Sequence, residues 1–204
     1  MAELAHKIPE QAPNRFDRRR EKTRGDLLEA AERVIAAKGY HNTRIADIAT
    51  EADVGLGTFY LHFKTKNEIF IELIADGAQT LRERLTEAKV GFGSPADKLR
   101  ITISTILDAA AESPEGFRIV FGHSPAFLDL KIRVHETFIN DLRDELAPAI
   151  GARADVVAHL TIGMLSQAIS WLLERGDMPI AELKEAAVNF ALGGLERAVR
   201  LEHR

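Results

Sequence analysis

The chain has 204 residues, 46% hydrophobic and 28% charged, with a formal net charge of −4 at pH 7 and no cysteine. That length allows a sizeable core in one large or two small domains, and the composition is that of a globular protein. The absence of cysteine excludes a disulfide framework and any thiolate metal site.

Ala, Leu, Glu and Arg dominate, and alternating β-branched runs are nearly absent, so an all-α chain of about nine helices is expected. No apolar run is expected to approach the length of a membrane span and the first residues lack a signal-peptide core, so a cytoplasmic protein with no membrane partner is expected. The charge is uneven. Residues 1–66 carry 12 Lys/Arg against 10 Asp/Glu, net +2, whereas residues 67–204 carry 15 against 21, net −6. One end suited to a polyanion and one end suited to avoiding it would show this split.

Residues 1–14, with two prolines and no periodicity, read as a disordered tail. Arg15, Arg18, Arg19, Arg20, Lys22 and Arg24 then form a basic lead into a long helix. They are either a solvated face or an arm for a nucleic-acid backbone. Gly25 weakens helix propensity by about 1 kcal/mol and is a point where the arm could fray. From Leu27, the residues Ala31, Val34, Ile35 and Lys38 follow one face, and Gly39 is a natural stop.

Two short helices follow. Ile45, Ile48, Ala49 and Ala52 fall at i, i+3, i+4 and i+7, the spacing of one buried face. Phe59 and Phe63, four apart, point into the same small core. Left outside on the second helix are Leu56, Gly57, Thr58, Tyr60 and His62, with no acidic group among them. A donor-bearing face free of carboxylates suits the DNA major groove, since phosphates repel carboxylates and base edges need hydrogen-bonding groups. Thr43 can N-cap the first of these helices. Thr65 and Glu68 form a Thr-x-x-Glu capping box that opens a third helix at Lys66, where the dipole and the ammonium both favour a phosphate.

That third helix should run to about Ala88 with Ile69, Leu73, Ala78, Leu81 and Leu85 inward, spanning about 30 Å or more. It would carry any displacement at its far end to the short helices. Gly91 to Pro95 breaks the pattern, and helices are expected over roughly 96–111, 115–122, 126–148, 153–175 and 180–200. In 156–173 apolar residues occur nearly all round, so that helix should be buried on both sides. Gly193 and Gly194, mid-helix, make sense only where another backbone comes close. Residues 153–200 therefore read as a homodimer interface, with completion of a monomer core as the alternative.

The run Thr43…Ile48-Ala49…Val54…Gly57-Thr58-Phe59-Tyr60-Leu61-His62-Phe63-Lys64-Thr65-Lys66…Phe70 resembles the N-terminal signature of the TetR (tetracycline-repressor) family of bacterial transcriptional regulators. The match covers residues 24 to 72, and Gly57 to Lys66 is its most specific part. Two positions depart from the pattern. Asp53 stands where the family has glycine in the turn, and Gly55 where it has a hydroxyl N-cap; both are sterically acceptable.

The resemblance implies a helix-turn-helix DNA-binding domain at 15–66 and a helical ligand-binding and dimerisation domain at 67–204. Residue by residue, it implies that Gly57, Thr58 and His62 approach base edges, with Leu56 and Arg44 beside them, while Thr43, Tyr60 and Lys66 hold phosphates. It also implies an effector cavity in the second domain, among Ile103, Leu107, Phe117, Phe121, Phe127, His135, Phe138, Met164, Gln167 and Trp171. Each of these is by default a core residue. His123, Arg118 and Asn140 are further polar candidates. The partners implied are a double-stranded DNA operator and a small hydrophobic or amphipathic effector, with no cofactor. The function implied is that of a repressor.

Enzyme motifs fail on spacing. His135-Glu136 begins a zinc-protease motif, but Ile139 holds the second histidine's place. Gly55-x-Gly57 has Tyr60 where a dinucleotide fingerprint needs its third glycine, and no strand precedes it. No serine sits in a Gly-x-Ser-x-Gly elbow. The alternatives left open are a ligand-independent architectural DNA-binding dimer and a helical small-molecule enzyme.

Overall fold

The computed structural model describes residues 14–121, 127–176 and 178–202, so the expected tail before Asn14 and the candidate His123 lie outside the described residues. Among the described residues there are nine helices and no strand: α1 Arg15–Lys38, α2 Ile45–Glu51, α3 Leu56–His62, α4 Lys66–Ala88, α5 Pro95–Glu112, α6 Pro114–Phe121, α7 Leu128–Ile150, α8 Arg153–Arg175 and α9 Ile180–Glu202. The chain divides into two compact units, Met1–Ile69 and Phe70–Arg204, with the division inside α4.

In the first unit α1 starts one residue after Asn14, whose side chain accepts from the N–H groups of Phe16 and Asp17 while the Asp17 carboxylate takes the Asn14 N–H. Asn14 is thus an ordered N-cap, not the end of a disordered tail. The helix runs through Gly25 without a break and stops at Gly39, whose φ of 73° no β-carbon would favour. Leu27, Ala30, Ala31, Val34 and Ile35 form its buried stripe. Against it close Ile48 and Ala49 of α2 and the fully buried Phe59 and Phe63, whose rings lie 5.8 Å apart.

The second unit is a bundle in which α7 packs on α8, α5 on α9, and α8 on α9. Its core includes Leu99, Ile103, Leu107, Leu142, Leu146, Ile150, Leu165 and Ile169. Ser94 caps α5 by accepting from the Asp97 N–H, with Pro95 at the first helical position. Helix α7 runs past its expected end at 148. Pro148 lies inside it, and it continues to Ile150 and ends at Gly151, with φ 55° and ψ −135°. The proline fits the last turn, and it is the glycine's backbone that turns the chain.

Residues 156–173 contain no Asp, Glu, Lys or Arg, so α8 is long and apolar enough to cross a membrane by length and composition. This overturns the expectation that no run reaches that length. Of that stretch 28% is buried among the described residues, and much of the rest is half-buried. Nor is α8 covered all round: Val156 and Leu160 are 59% and 69% exposed, on one side with Gly163 and Gln167.

Candidate nucleic-acid interface

The turn between α2 and α3 is made by Asp53 with φ 52°, a left-handed conformation that the Asp side chain tolerates better than most. The Val54 N–H closes the turn by donating to the Ala49 carbonyl at 3.0 Å. Gly55 is the N-cap of α3 in extended conformation and offers no side-chain hydrogen bond. On this frame Phe59 and Phe63 face the core, and the opposite side of α3 faces solvent.

The expected DNA-contacting residues divide into three groups. Arg44, Leu56, Gly57 and Tyr60 are exposed, with Leu56 and Tyr60 near half of their full accessibility. Thr58 and His62 are half-buried at the edge of the same face. Burial, and then the charges of Arg20 and Arg24, hold the His62 imidazole below its usual pKa, so at neutral pH it is an uncharged hydrogen-bonding group.

Thr43 is a correction. It is buried, its hydroxyl donates to the Gly39 carbonyl at 2.9 Å, and Arg44 takes the N-cap position of α2. A hydroxyl spent on tying down the end of α1 neither caps α2 nor reaches a phosphate. The Arg44 N–H is satisfied instead by Asp47 at 2.9 Å, and this bond, with the Lys38 ammonium, holds the Asp47 carboxyl below its usual pKa.

Lys66 is also placed differently. Its ammonium donates to the Tyr40 and Thr43 carbonyls at 2.8 and 2.9 Å and sits 4.2 Å from the centre of the Tyr40 ring. Two of its three donors therefore brace the α1–α2 turn, and burial lowers its pKa. Thr65 caps α4 by accepting from the Glu68 N–H at 3.1 Å. The Glu68 carboxylate reaches back to the Lys64 N–H instead of Thr65's, so the expected box is only half formed.

Two further residues shape this face of the first unit. Arg24, read as part of a basic arm, donates to the His62 carbonyl at 3.1 Å and lies 4.4 Å from the centre of the Phe63 ring. It ties α1 to the C-terminal end of α3, where a cation also favours the helix dipole. Leu61 is 74% exposed. At 100° per residue it lies opposite the midpoint of Phe59 and Phe63, a signal available from spacing alone.

The ten effector candidates lie in the second unit. Ile103, Leu107, Phe127 and Phe138 are buried in packing, and Phe127 meets Phe70 at 5.5 Å. Phe117, Phe121, His135, Met164 and Trp171 are half-buried. Three of these come together: Phe117 stacks on Phe121 at 5.8 Å, and Phe121 meets the His135 ring at 5.2 Å. Among the described residues the buried His135 Nε2 has no hydrogen-bond partner, and burial followed by Lys131 keeps the ring's pKa low. Gln167 departs from the expectation, because helical phase puts it on the exposed side of α8. A cleft of about 420 Å³ is bounded by Ala110, Pro114, Arg118, Leu172 and Gly176 and touches none of the ten candidates.

A sequence model described as bacterial regulatory proteins of the tetR family matches residues 27–73. Among solved structures, a protein from Syntrophomonas wolfei assigned to the TetR-family transcriptional regulators superimposes with a TM-score of 0.73. It shares 18% identity over 86% of this chain and 95% of its own. A protein from Clostridium perfringens assigned to fatty acid metabolism regulation shares 26% identity over 83% of this chain and 97% of its own, at a TM-score of 0.64. FadR from Bacillus subtilis, solved in complex with stearoyl-CoA, shares 23% identity over 83% and 98%, at 0.70. The first unit thus carries the tetR-family signature over residues 27–73, and most of the chain shares its all-helical fold with a structure assigned to the TetR-family transcriptional regulators.

Proposed function

We propose that the protein is a ligand-responsive, sequence-specific repressor that binds a pseudo-palindromic operator as a homodimer and releases it when an amphipathic small molecule binds its second unit. The outward side of α3 carries this reading: Leu56, Gly57, Tyr60 and Leu61 are exposed there with no carboxylate on the helix. Gly57, Thr58 and His62, with Leu56 and Arg44 beside them, approach base edges. Tyr60 and the third N–H of Lys66 serve phosphates. Two such helices would enter successive major grooves about 34–36 Å apart or somewhat more.

Pairing through residues 153–200 is supported by one apolar, small-residue surface. Leu160 and Phe190 are 69% and 75% exposed. A β-carbon at Gly163, Gly193 or Gly194 would meet nothing within 4 Å among the described residues, so packing within one copy gives no reason for these glycines there. Their use is close approach of a second copy.

For the effector, similarity to a regulator solved with stearoyl-CoA favours a fatty acyl thioester. The Phe117, Phe121 and His135 group offers an apolar wall with one polar atom unsatisfied among the described residues, the composition expected of such a site. Met164 and Trp171, half-buried on α8, which packs on α6, are the further members of the proposed site. A bias of about 1–3 kcal/mol between two states of the second unit, passed on through α4, is enough for a useful switch. Such a regulator works in the cytoplasm.

The decisive experiment is selection of bound duplexes from a random pool, followed by footprinting. An enriched inverted repeat protected by a dimer is expected; a pool that emerges unenriched would end the proposal. Stearoyl-CoA added to the protein–operator complex should release DNA and change Trp171 fluorescence, whereas coenzyme A alone should do neither.

A further inference from the structure

We infer that Leu61 reads a thymine 5-methyl group in each half-site, so that the operator is specified partly by an apolar contact. The inference rests on the DNA-binding proposal and deepens it. Leu61 is the residue most opposed to the Phe59 and Phe63 pair on α3, and its 74% exposure makes it more accessible than Leu56 or Tyr60. One turn earlier on the same ridge stands Gly57, where a β-carbon would meet nothing within 4 Å. No packing among the described residues calls for that glycine. Its effect is to leave the front of α3 bare, so the helix backbone can approach a surface with Leu61 as the side chain that reaches furthest.

The chemistry of that surface follows from what surrounds the ridge. Arg20 and Arg24 each outweigh Glu21 in their action on His62, and Lys64, two residues past the end of α3, is exposed, so the rim is cationic on balance. A cationic rim around an aliphatic tip fits a groove with anionic walls and an apolar spot on its floor. In the major groove the thymine methyl is the one apolar group that a base edge presents.

The test uses the full-length protein and the duplex selected from a random pool, measured by fluorescence anisotropy. Each thymine is replaced in turn by deoxyuridine, which removes only the methyl. Wild type should lose about fourfold in affinity for each methyl removed at one symmetry-related position, and L61A should show no such loss there. Equal affinity of wild type for thymine and uracil at every position would overturn the inference, as would an equal uracil penalty in L61A. A pool with no enriched site would instead overturn the DNA-binding proposal, and this inference with it. Unchanged melting of L61A confirms that the comparison is made on folded protein; should it melt early, the uracil series on wild type and L61M, which keeps an apolar tip, decides alone.

Discussion

At the scale of single residues, the first unit spends several of its cations and hydroxyls on holding itself together. Lys66 is the clearest case, since removing its ammonium leaves the buried Thr43 carbonyl without its donor. Lys66→Ala should therefore lower stability by about 1–3 kcal/mol as well as weaken binding to every duplex. Thermal melting read beside a salt titration separates the two effects, and an unchanged melting temperature would return Lys66 to a purely phosphate-facing role.

His62 gives a pH signature. Its folded pKa lies below the ordinary imidazole value near 6.5, so between the two the unfolded chain binds more protons. Its contribution to stability is present above pH 6.5 and lost as the pH falls through that window. H62Q should flatten this loss in a chemical-denaturation series run from pH 7 to pH 5. His135 titrates in the same direction and leaves a residual slope.

At the scale of elements, most helices were legible because their apolar spacing and their caps agree. The core stripe of α1, the Phe59 and Phe63 pair and the Ser94-Pro95 start of α5 could all be read from residue type and interval. Thr43 and Lys66 could not, because which carbonyl a hydroxyl or ammonium finds depends on how distant turns meet. The division of the effector candidates into spent core residues and half-buried ones was illegible for the same reason. Leu61 was legible in principle, since the phase that buries Phe59 also exposes it.

The end of α7 shows a local rule giving way to backbone geometry. Gly151, at φ 55° and ψ −135°, occupies a region that a β-carbon strongly disfavours. Gly151→Ala should cost about 1–3 kcal/mol. Pro148→Ala, within a helix that already continues past it, should leave stability unchanged or raise it. Paired melting curves of the two variants check both statements, and a Pro148→Ala loss as large as that of Gly151→Ala would show that the proline sets the stop.

At the scale of the whole molecule, a pairing surface on α8 and α9 predicts that charge placed there separates the copies without unfolding them. Leu160→Lys with Phe190→Asp should sediment as a monomer, keep the helical signal of the parent, and lose most of its operator affinity. A double variant that remains dimeric would place the interface elsewhere.

The uncharged run of α8 has a further consequence for the protein's supply. On the proposed pairing, a newly made copy would carry Val156 and Leu160 of α8 and Phe190 of α9 into water until it met a mate. Single copies would be the ones that clump or fall to proteases, so they would vanish first when the protein is scarce. The working amount of this regulator would then rise more steeply than its rate of synthesis, because survival itself would depend on finding company.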